Sequence, residues 1–164
     1  MSQTCFVRYR DRGFWAYDVA LKIFLKHLID VSQFRCVGAD CVWLGEAVRS
    51  WRVSTILASD LGLTIDIDET WSTNEVSTFI ELVEEACRRL ADRDSIPAEE
   101  IKSWDILDGH GVFQRRATDG LTAPIVELGR AIIALVNETL PEPPTGTLWF
   151  FGTPTPDNTI RMRQ

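Results

Sequence analysis

The sequence predicts a mainly α-helical single domain with a small antiparallel β element formed by the two ends of the chain. Apolar residues recur at helical spacing through most of the interior, whereas apolar and polar residues alternate only near the ends. No repeat and no long linker divides residues 1–164, so we expect one globular domain. The alternative fold class is all-α with extended tails.

Two helices are expected in the first third of the chain. The first should run from Gly13 to about Val31, and its apolar residues extend so far round the helix that it should be close to central. The second should begin behind Asp40, which suits an N-cap, and should stop at Gly62, a residue suited to a left-handed helix end.

The clearest local signal precedes the third helix. Ser72 and Glu75 have the spacing of a capping box, and Trp71 and Val76 occupy the two positions of a hydrophobic staple. An apolar face continues behind them at helical spacing. A helix is therefore expected from this cap to Leu90.

Two further helices are expected in the second half of the chain. A short one should begin at Pro97, which suits the first helical position, and should end near Trp104. A long one should begin close to Thr122, because Pro124 fits a first turn, and should continue to the prolines at 141–144.

Three segments near the termini read as strands. Thr4–Arg10 alternates apolar and polar side chains, and two segments at 147–151 and 159–163 are separated by a turn-forming stretch. The last two should form a hairpin. Because an isolated hairpin is only marginally stable, we expect these strands to combine into one small sheet on the helical body.

The net charge of −7 is concentrated in the middle of the sequence. Residues 1–63 carry a net +2, residues 64–108 a net −9, and residues 109–164 a net zero. Between Arg52 and Arg88 there is no Lys or Arg. A net negative charge disfavours binding to a nucleic-acid backbone and favours a basic protein partner.

This acidic segment is the predicted partner-binding surface. Clustered carboxylates attract a basic surface and speed its encounter. Trp71 adjoins the segment, and further aromatic anchors are expected near it, unless they fill the core: Trp43, Trp51 and Trp104. A solvated, non-functional face is the competing interpretation. The candidate contact residues are Asp66, Asp68, Glu69, Trp71, Glu75, Glu81, Glu84 and Glu85.

The second hypothesis is a small helical enzyme or ligand-binding protein. Asp108 and His110 could form an acid–base pair in a loop, and the carboxylates at 66, 68 and 69 could hold a divalent cation. Cys5, Cys36 and Cys41 could join a histidine around zinc, although their spacing is wide for such a site.

No serine elbow, activated cysteine or phosphate loop accompanies these groups, so we expect no enzyme, no catalytic residue, no metal and no cofactor. A structural or adaptor subunit is a third class.

Two other classes of protein fit poorly. A DNA-binding helix-turn-helix should carry a basic reading helix, but the best-defined helix, at 73–91, is rich in Glu. No apolar stretch has the length of a membrane span, and the first residues lack the apolar core of a signal peptide. The four cysteines lack the spacing of a disulfide scaffold, so a reducing, cytoplasmic location is expected.

In size, acidity, helical make-up, its six tryptophans and its lack of an active-site motif, the chain resembles the immunity proteins of bacterial toxin systems, including those of contact-dependent growth inhibition. The resemblance extends over the whole chain and involves no family-specific motif, so no functional residue is carried over from these families. It implies an inhibitor that binds and neutralises a cognate basic toxin domain, such as a nuclease, through an acidic surface.

Overall fold

Two β-hairpins, one near each end of the sequence, form most of the sheet in the computed structural model. The structure describes residues 4–35, 41–57, 64–112, 118–155 and 157–162. In chain order the elements are β1 (Thr4–Tyr9), β2 (Arg12–Tyr17), α1 (Asp18–Gln33), α2 (Val42–Ile56), β3 (Thr64–Asp66), α3 (Thr73–Ala91), β4 (Ser95–Ile96), α4 (Ala98–Ser103), β5 (Gly120–Leu121), α5 (Thr122–Val136), β6 (Thr147–Phe151) and β7 (Thr159–Arg161).

The main sheet is mixed rather than antiparallel. Its strand order is β3-β1-β2-β6-β7. The β1–β2 and β6–β7 hairpins are antiparallel, whereas β1 pairs with β3 and β2 pairs with β6 in parallel. The expected helical domain with a small β element is therefore confirmed, with both ends of the chain in one sheet. The all-α alternative is wrong.

The helices form two layers against this sheet. Alternate residues of β1, Cys5, Val7 and Tyr9, are buried on the face that meets α1 and α5. Helix α3 packs across both α1 and α5, and α2 packs on α1. In the described part of the chain, no helix combines the length and apolar character needed to cross a bilayer.

Helix α1 begins five residues later than expected. Residues 13–17, predicted to be helical, belong to β2, where Phe14 and Ala16 face the core and Trp15 is half-buried. Apolar residues on both faces of this short segment satisfy a helical and an extended pattern equally well. Pairing with β1, in which Phe14 lies opposite Val7, selects the strand.

The capped start of α3 is confirmed. The backbone N–H of Glu75 donates to Ser72 Oγ at 3.4 Å, and the backbone N–H of Ser72 donates to Glu75 Oε2 at 2.6 Å. Helix α2 begins at Val42, close to the predicted start, although Asp40 lies outside the described residues.

Two other helix ends differ from expectation. Pro97 is the N-cap of α4 rather than its first residue. Helix α5 ends at Val136, several residues before the prolines, because Glu138 adopts a left-handed conformation at φ 58° and the backbone N–H of Thr139 donates back to Ala134 O at 2.8 Å. Helix termination by such a turn needs no proline.

Two charged residues lie in the core beside the sheet. Asp18 and Lys22, on the first turns of α1, are both buried. Lys22 Nζ donates to the carbonyl oxygen of Leu57 at 2.7 Å, which ties the end of α2 to α1. A hydrogen bond of this kind compensates part of the cost of burying an ammonium group.

Helices α1, α3 and α5 approach one another most closely at Gly129. A Cβ atom at this position would lie 2.7 Å from Phe24 Cε2 of α1 and closer still to Cys87 Sγ of α3. Phe24 and Cys87 are both buried, so neither has room to move into solvent. The absence of a side chain at Gly129 therefore permits the packing of all three helices.

The first prediction concerns this contact. Gly129→Ala should lower the free energy of unfolding by about 1–3 kcal/mol, because overpacking a filled core outweighs the better helix propensity of alanine. The matched control is Gly45→Ala on the exposed face of α2, where a Cβ meets nothing within 4 Å. That change should stabilise the protein by about 0.5–1 kcal/mol. Urea unfolding of both variants tests the difference, and equal effects would contradict this packing.

Candidate functional site

A groove between α2 and the connection from β3 to α3 brings together half of the predicted contact residues. Its volume is about 870 Å³. We term it the acidic groove and define it by Trp43, Glu46 and Trp51 of α2, Asp68, Glu69 and Trp71 of the connection, and Glu75 of α3. Ala47 and Ile67 also line it, and Arg8 and Arg10 lie at its sheet end.

Three tryptophans line the acidic groove. Trp43 and Trp71 meet edge to face, with ring centroids 5.0 Å apart. Trp71 and Trp51 contact Phe79 of α3, at centroid distances of 5.2 and 5.9 Å. Trp51 is buried, whereas Trp43 and Trp71 are half-buried. Trp51 thus fills the core, and the other two also present ring surface to the groove.

The connection that carries Asp68, Glu69 and Trp71 is fixed by short-range hydrogen bonds. The backbone N–H of Ile67 donates to Arg8 O at 2.9 Å, which anchors the segment to β1. Asp68 Oδ1 accepts from the backbone N–H of Thr70 at 2.8 Å and from its hydroxyl at 2.6 Å. The capping box of α3 follows directly. Local hydrogen bonds therefore fix the backbone of this segment and the side chain of Asp68.

The carboxylates of the acidic groove differ in how far they are already engaged. Among the described residues, no Lys or Arg forms an ion pair with Glu46, Asp68 or Glu69. Glu75 uses one oxygen for the helix cap. At the sheet end, the guanidinium of Arg10 is paired with Glu138. Three carboxylates therefore remain available to a cationic ligand.

Two hydrogen bonds favour the charged form of Asp68. The hydroxyl of Thr70, and then its backbone N–H, donate to the carboxylate and hold the pKa of Asp68 below its ordinary value of 3.8. The side chain is exposed, so burial opposes this effect only weakly. Asp68 therefore keeps its negative charge to a lower pH than an ordinary aspartate does.

The other predicted contact residues lie elsewhere. Glu81, Glu84 and Glu85 line a second depression, of about 490 Å³, that shares no lining residue with the acidic groove. Arg35 lies 3.1 Å from Glu81, and Arg88 and Arg89 lie 2.7 and 2.8 Å from Glu85. This depression is largely neutralised by cations of the chain itself. The side chain of Asp66 lies outside the described residues.

Sequence reasoning missed Glu46 as a site residue and placed Trp43 only among the tryptophans expected near the acidic segment. Both precede the acidic segment, in a part of the chain with a net positive charge. Only the packing of α2 beside the β3–α3 connection brings them to Asp68 and Trp71. The signal available in the sequence was the spacing of Trp43, Glu46 and Ala47 on one face of a helix.

Asp108 and His110 form part of a tight turn rather than a cavity. Both side chains are exposed, and the backbone of His110 bridges to Leu107. His110 Nδ1 lies 3.1 Å from Leu107 O, and Asp105 Oδ1 accepts from the backbone N–H of Gly109 at 3.0 Å. These contacts stabilise a turn and line neither of the two cavities described above.

The predicted metal sets find no support among the described residues, where no three His, Cys, Asp or Glu side chains converge. Burial raises the pKa of the Cys5 thiol to about 11, so it stays protonated at neutral pH. Cys36 lies outside the described residues.

His27 is a half-buried residue with its hydrogen bond satisfied. Its Nδ1 lies 3.0 Å from Ile23 O of the preceding helical turn, and its ring meets the ring of Trp104 at 5.7 Å. Burial is the main cause that lowers the pKa of His27 below 6.5. The neutral form is therefore favoured in the folded state.

The second prediction follows from His27. Because its folded pKa is lowered, the unfolded chain binds more protons once the pH falls below 6.5, and stability should decrease there by at most about 1.4 kcal/mol per pH unit. His27→Gln should remove this part of the pH dependence. Thermal unfolding between pH 5 and pH 8, roughly the range in which histidine titrates, tests it. An unchanged slope in the variant would contradict the assignment.

The third prediction concerns Asp68. Thr70→Val removes the hydroxyl that contributes most to the lowered pKa, so the pKa of Asp68 should rise towards 3.8. Thr70→Ser keeps a hydroxyl and should preserve the low value. Carbon-13 NMR titration of the side-chain carboxyl measures both. Equal values in the valine and serine variants would show that the hydroxyl does not support this charge.

Comparison with known proteins does not assign this chain to a family. No family model, no curated protein and no solved structure matches the chain. The chemistry of the acidic groove therefore follows from its own side chains. They offer carboxylate acceptors and aromatic rings.

Proposed function

We propose that this chain is an interaction protein that binds and neutralises a basic partner through the acidic groove. The resemblance to immunity proteins favours a toxin domain as this partner, and a nuclease suits the charge because its cleft must attract phosphates. The observation that supports the proposal is the position of Glu46, Asp68 and Glu69, unpaired among the described residues, beside two half-buried tryptophans.

The proposed inhibition combines charge and shape. Carboxylates on a fixed segment attract a positive cleft over a distance comparable to the Debye length and speed the encounter. Trp43 and Trp71 then provide the aromatic contact area that dominates binding energy at many protein interfaces. A cleft covered in this way can no longer admit its own polyanionic substrate.

The location that goes with this proposal is the cytoplasm, where such a toxin would act. The free, buried thiols of Cys5 and Cys87 suit a reducing compartment. Burial raises the pKa of Cys87 to about 11, as it does that of Cys5, so both behave as small apolar core residues.

The fourth prediction tests the groove with the natural partner. The chain serves as bait in a lysate of its source cells, and the captured protein is then purified and titrated against the wild type and three charge-reversed variants. Glu46→Lys with Asp68→Lys and Glu69→Lys should weaken binding at least about tenfold, mainly through slower association. Raising the salt from about 0.05 M to about 0.5 M should slow association of the wild type in the same direction.

Two further variants distinguish the effect of the groove carboxylates on affinity from the effect of net charge. Asp92→Lys with Glu142→Lys and Asp157→Lys changes the charge equally at exposed positions outside the groove, and should alter affinity by less than about threefold. Reversal of Glu81, Glu84 and Glu85 tests the second depression.

The captured protein should also stop cell growth when expressed alone, and co-expression of the chain should restore growth. Equal binding by the groove variant, or no protection, would overturn the proposal.

A further inference from the structure

We infer that the acidic groove recognises an arginine side chain of the partner, with the guanidinium lying on the exposed ring surface of Trp43 and Trp71 and bonded to the carboxylates around it. This inference rests on the proposed function, since it names the chemical group that the groove receives. It follows from three properties of the groove: its floor, its ring surfaces and the positions of its carboxylates.

The floor of the groove suits the aliphatic stem of a long cationic side chain. Ala47 and Ile67 are both only 9% exposed, and Trp51 is 6% exposed. Around this apolar floor stand Glu46 on one wall and Asp68 and Glu69 on the other. A side chain with a methylene stem and a charged head places each part in a matching environment. A simple inorganic cation would gain nothing from the apolar floor.

The chain itself shows twice how it binds a cation between a ring and a carboxylate. Lys26 Nζ lies 5.0 Å from the ring centroid of Trp104 and pairs with Asp30. The guanidinium of Arg89 lies 5.7 Å from the ring centroid of Phe34 and pairs with Glu85 at 2.8 Å. In both cases the ring and the carboxylate share one cation.

Each of these arrangements has three components, namely a ring, a carboxylate and a cation. The acidic groove contains the first two. Trp43 and Trp71 supply rings, and Glu46, Asp68 and Glu69 supply carboxylates. Within the described residues, no Lys or Arg stacks on either tryptophan. The cation that completes the arrangement must therefore come from the partner.

The carboxylate positions favour arginine over lysine. Asp68 uses Oδ1 for Thr70, which leaves Oδ2 for a ligand, and Glu46 lines the same groove from a different element. A guanidinium has five N–H donors in a planar fork, so it can stack on a ring and still bond to acceptors on two sides. An ammonium group is a compact point charge without a plane to stack.

The fifth prediction uses three capped tetrapeptides as probes of the full-length chain: tetraarginine, tetralysine and tetracitrulline. Tetraarginine should bind at least about fivefold more tightly than tetralysine of equal charge, because only guanidinium combines stacking with forked hydrogen bonds. Tetracitrulline has nearly the same shape without the charge and should not bind. Calorimetry gives the affinities, and the indole N–H signals of Trp43 and Trp71 in NMR spectra should shift.

Substitutions separate the contribution of the tryptophan rings from that of the carboxylates. Trp71→Leu and Trp43→Leu should each abolish the preference for arginine over lysine, while Trp104→Phe, outside the groove, should keep it. Glu46→Gln with Asp68→Asn and Glu69→Gln should weaken both peptides. Trp71→Phe, which retains a ring against Phe79, provides a milder variant if the leucine variant fails to fold. Equal affinities for the two cationic peptides, or a preference that survives both leucine substitutions, would overturn the inference.

The peptide experiment tests the arginine inference, and the titration with the natural partner tests the proposed function, so either can fail alone. If the natural partner loses affinity on reversal of the groove carboxylates but the peptides show no arginine preference, the function stands and the arginine inference fails. If the peptides behave as expected but the natural partner binds the reversed variant unchanged, the groove chemistry stands and the proposed function fails.

Discussion

The close approach of three helices at Gly129 is the constraint on which the rest of the structure depends. Because α5 has no side chain there, Phe24 of α1 and Cys87 of α3 can both reach its backbone. Helix α5 lies on the sheet, so this contact also sets the height of α3 above the sheet. The position of α3 in turn determines where its capped N-terminus, and with it Trp71, meets α2. Close packing in the core thus links the position of Gly129 to the elements that form the acidic groove.

The segment before α3 uses the same few side chains for its own folding and for the proposed binding surface. Ser72 and Glu75 satisfy the free backbone groups of the helix start, and Asp68 accepts from Thr70 to shape the turn that leads into it. Each carboxylate used in this way keeps one oxygen uncommitted. The proposed binding surface is therefore built on a segment that is already ordered by local hydrogen bonds, which limits the entropy lost on association.

The sequence could predict those features that depend on interactions between residues close together in the chain. The capping box at Ser72 and Glu75 and the alternation of Cys5, Val7 and Tyr9 act between near neighbours, and both are found where expected. The start of α1 could not be predicted, because residues 14–17 are apolar on both faces and only pairing with β1 decides between strand and helix. Linear charge counting likewise cannot detect that Arg35, just after α1, pairs with Glu81, or that Glu46 of α2 lines the same groove as Asp68.

The parallel pairing of β2 with β6 has a consequence for the order in which the protein matures during synthesis. All the residues that define the acidic groove lie before position 76, so they leave the ribosome early. Yet the ring of Phe14 packs against Phe151, at a centroid distance of 5.0 Å, and Trp15 lies opposite Phe150. The central strand of the sheet therefore lacks one of its two neighbours until residues 147–151 have been translated. The residues of the proposed binding surface are therefore synthesised long before the strand that completes the sheet around them, so the surface should reach its final shape only after residues 147–151 have been translated.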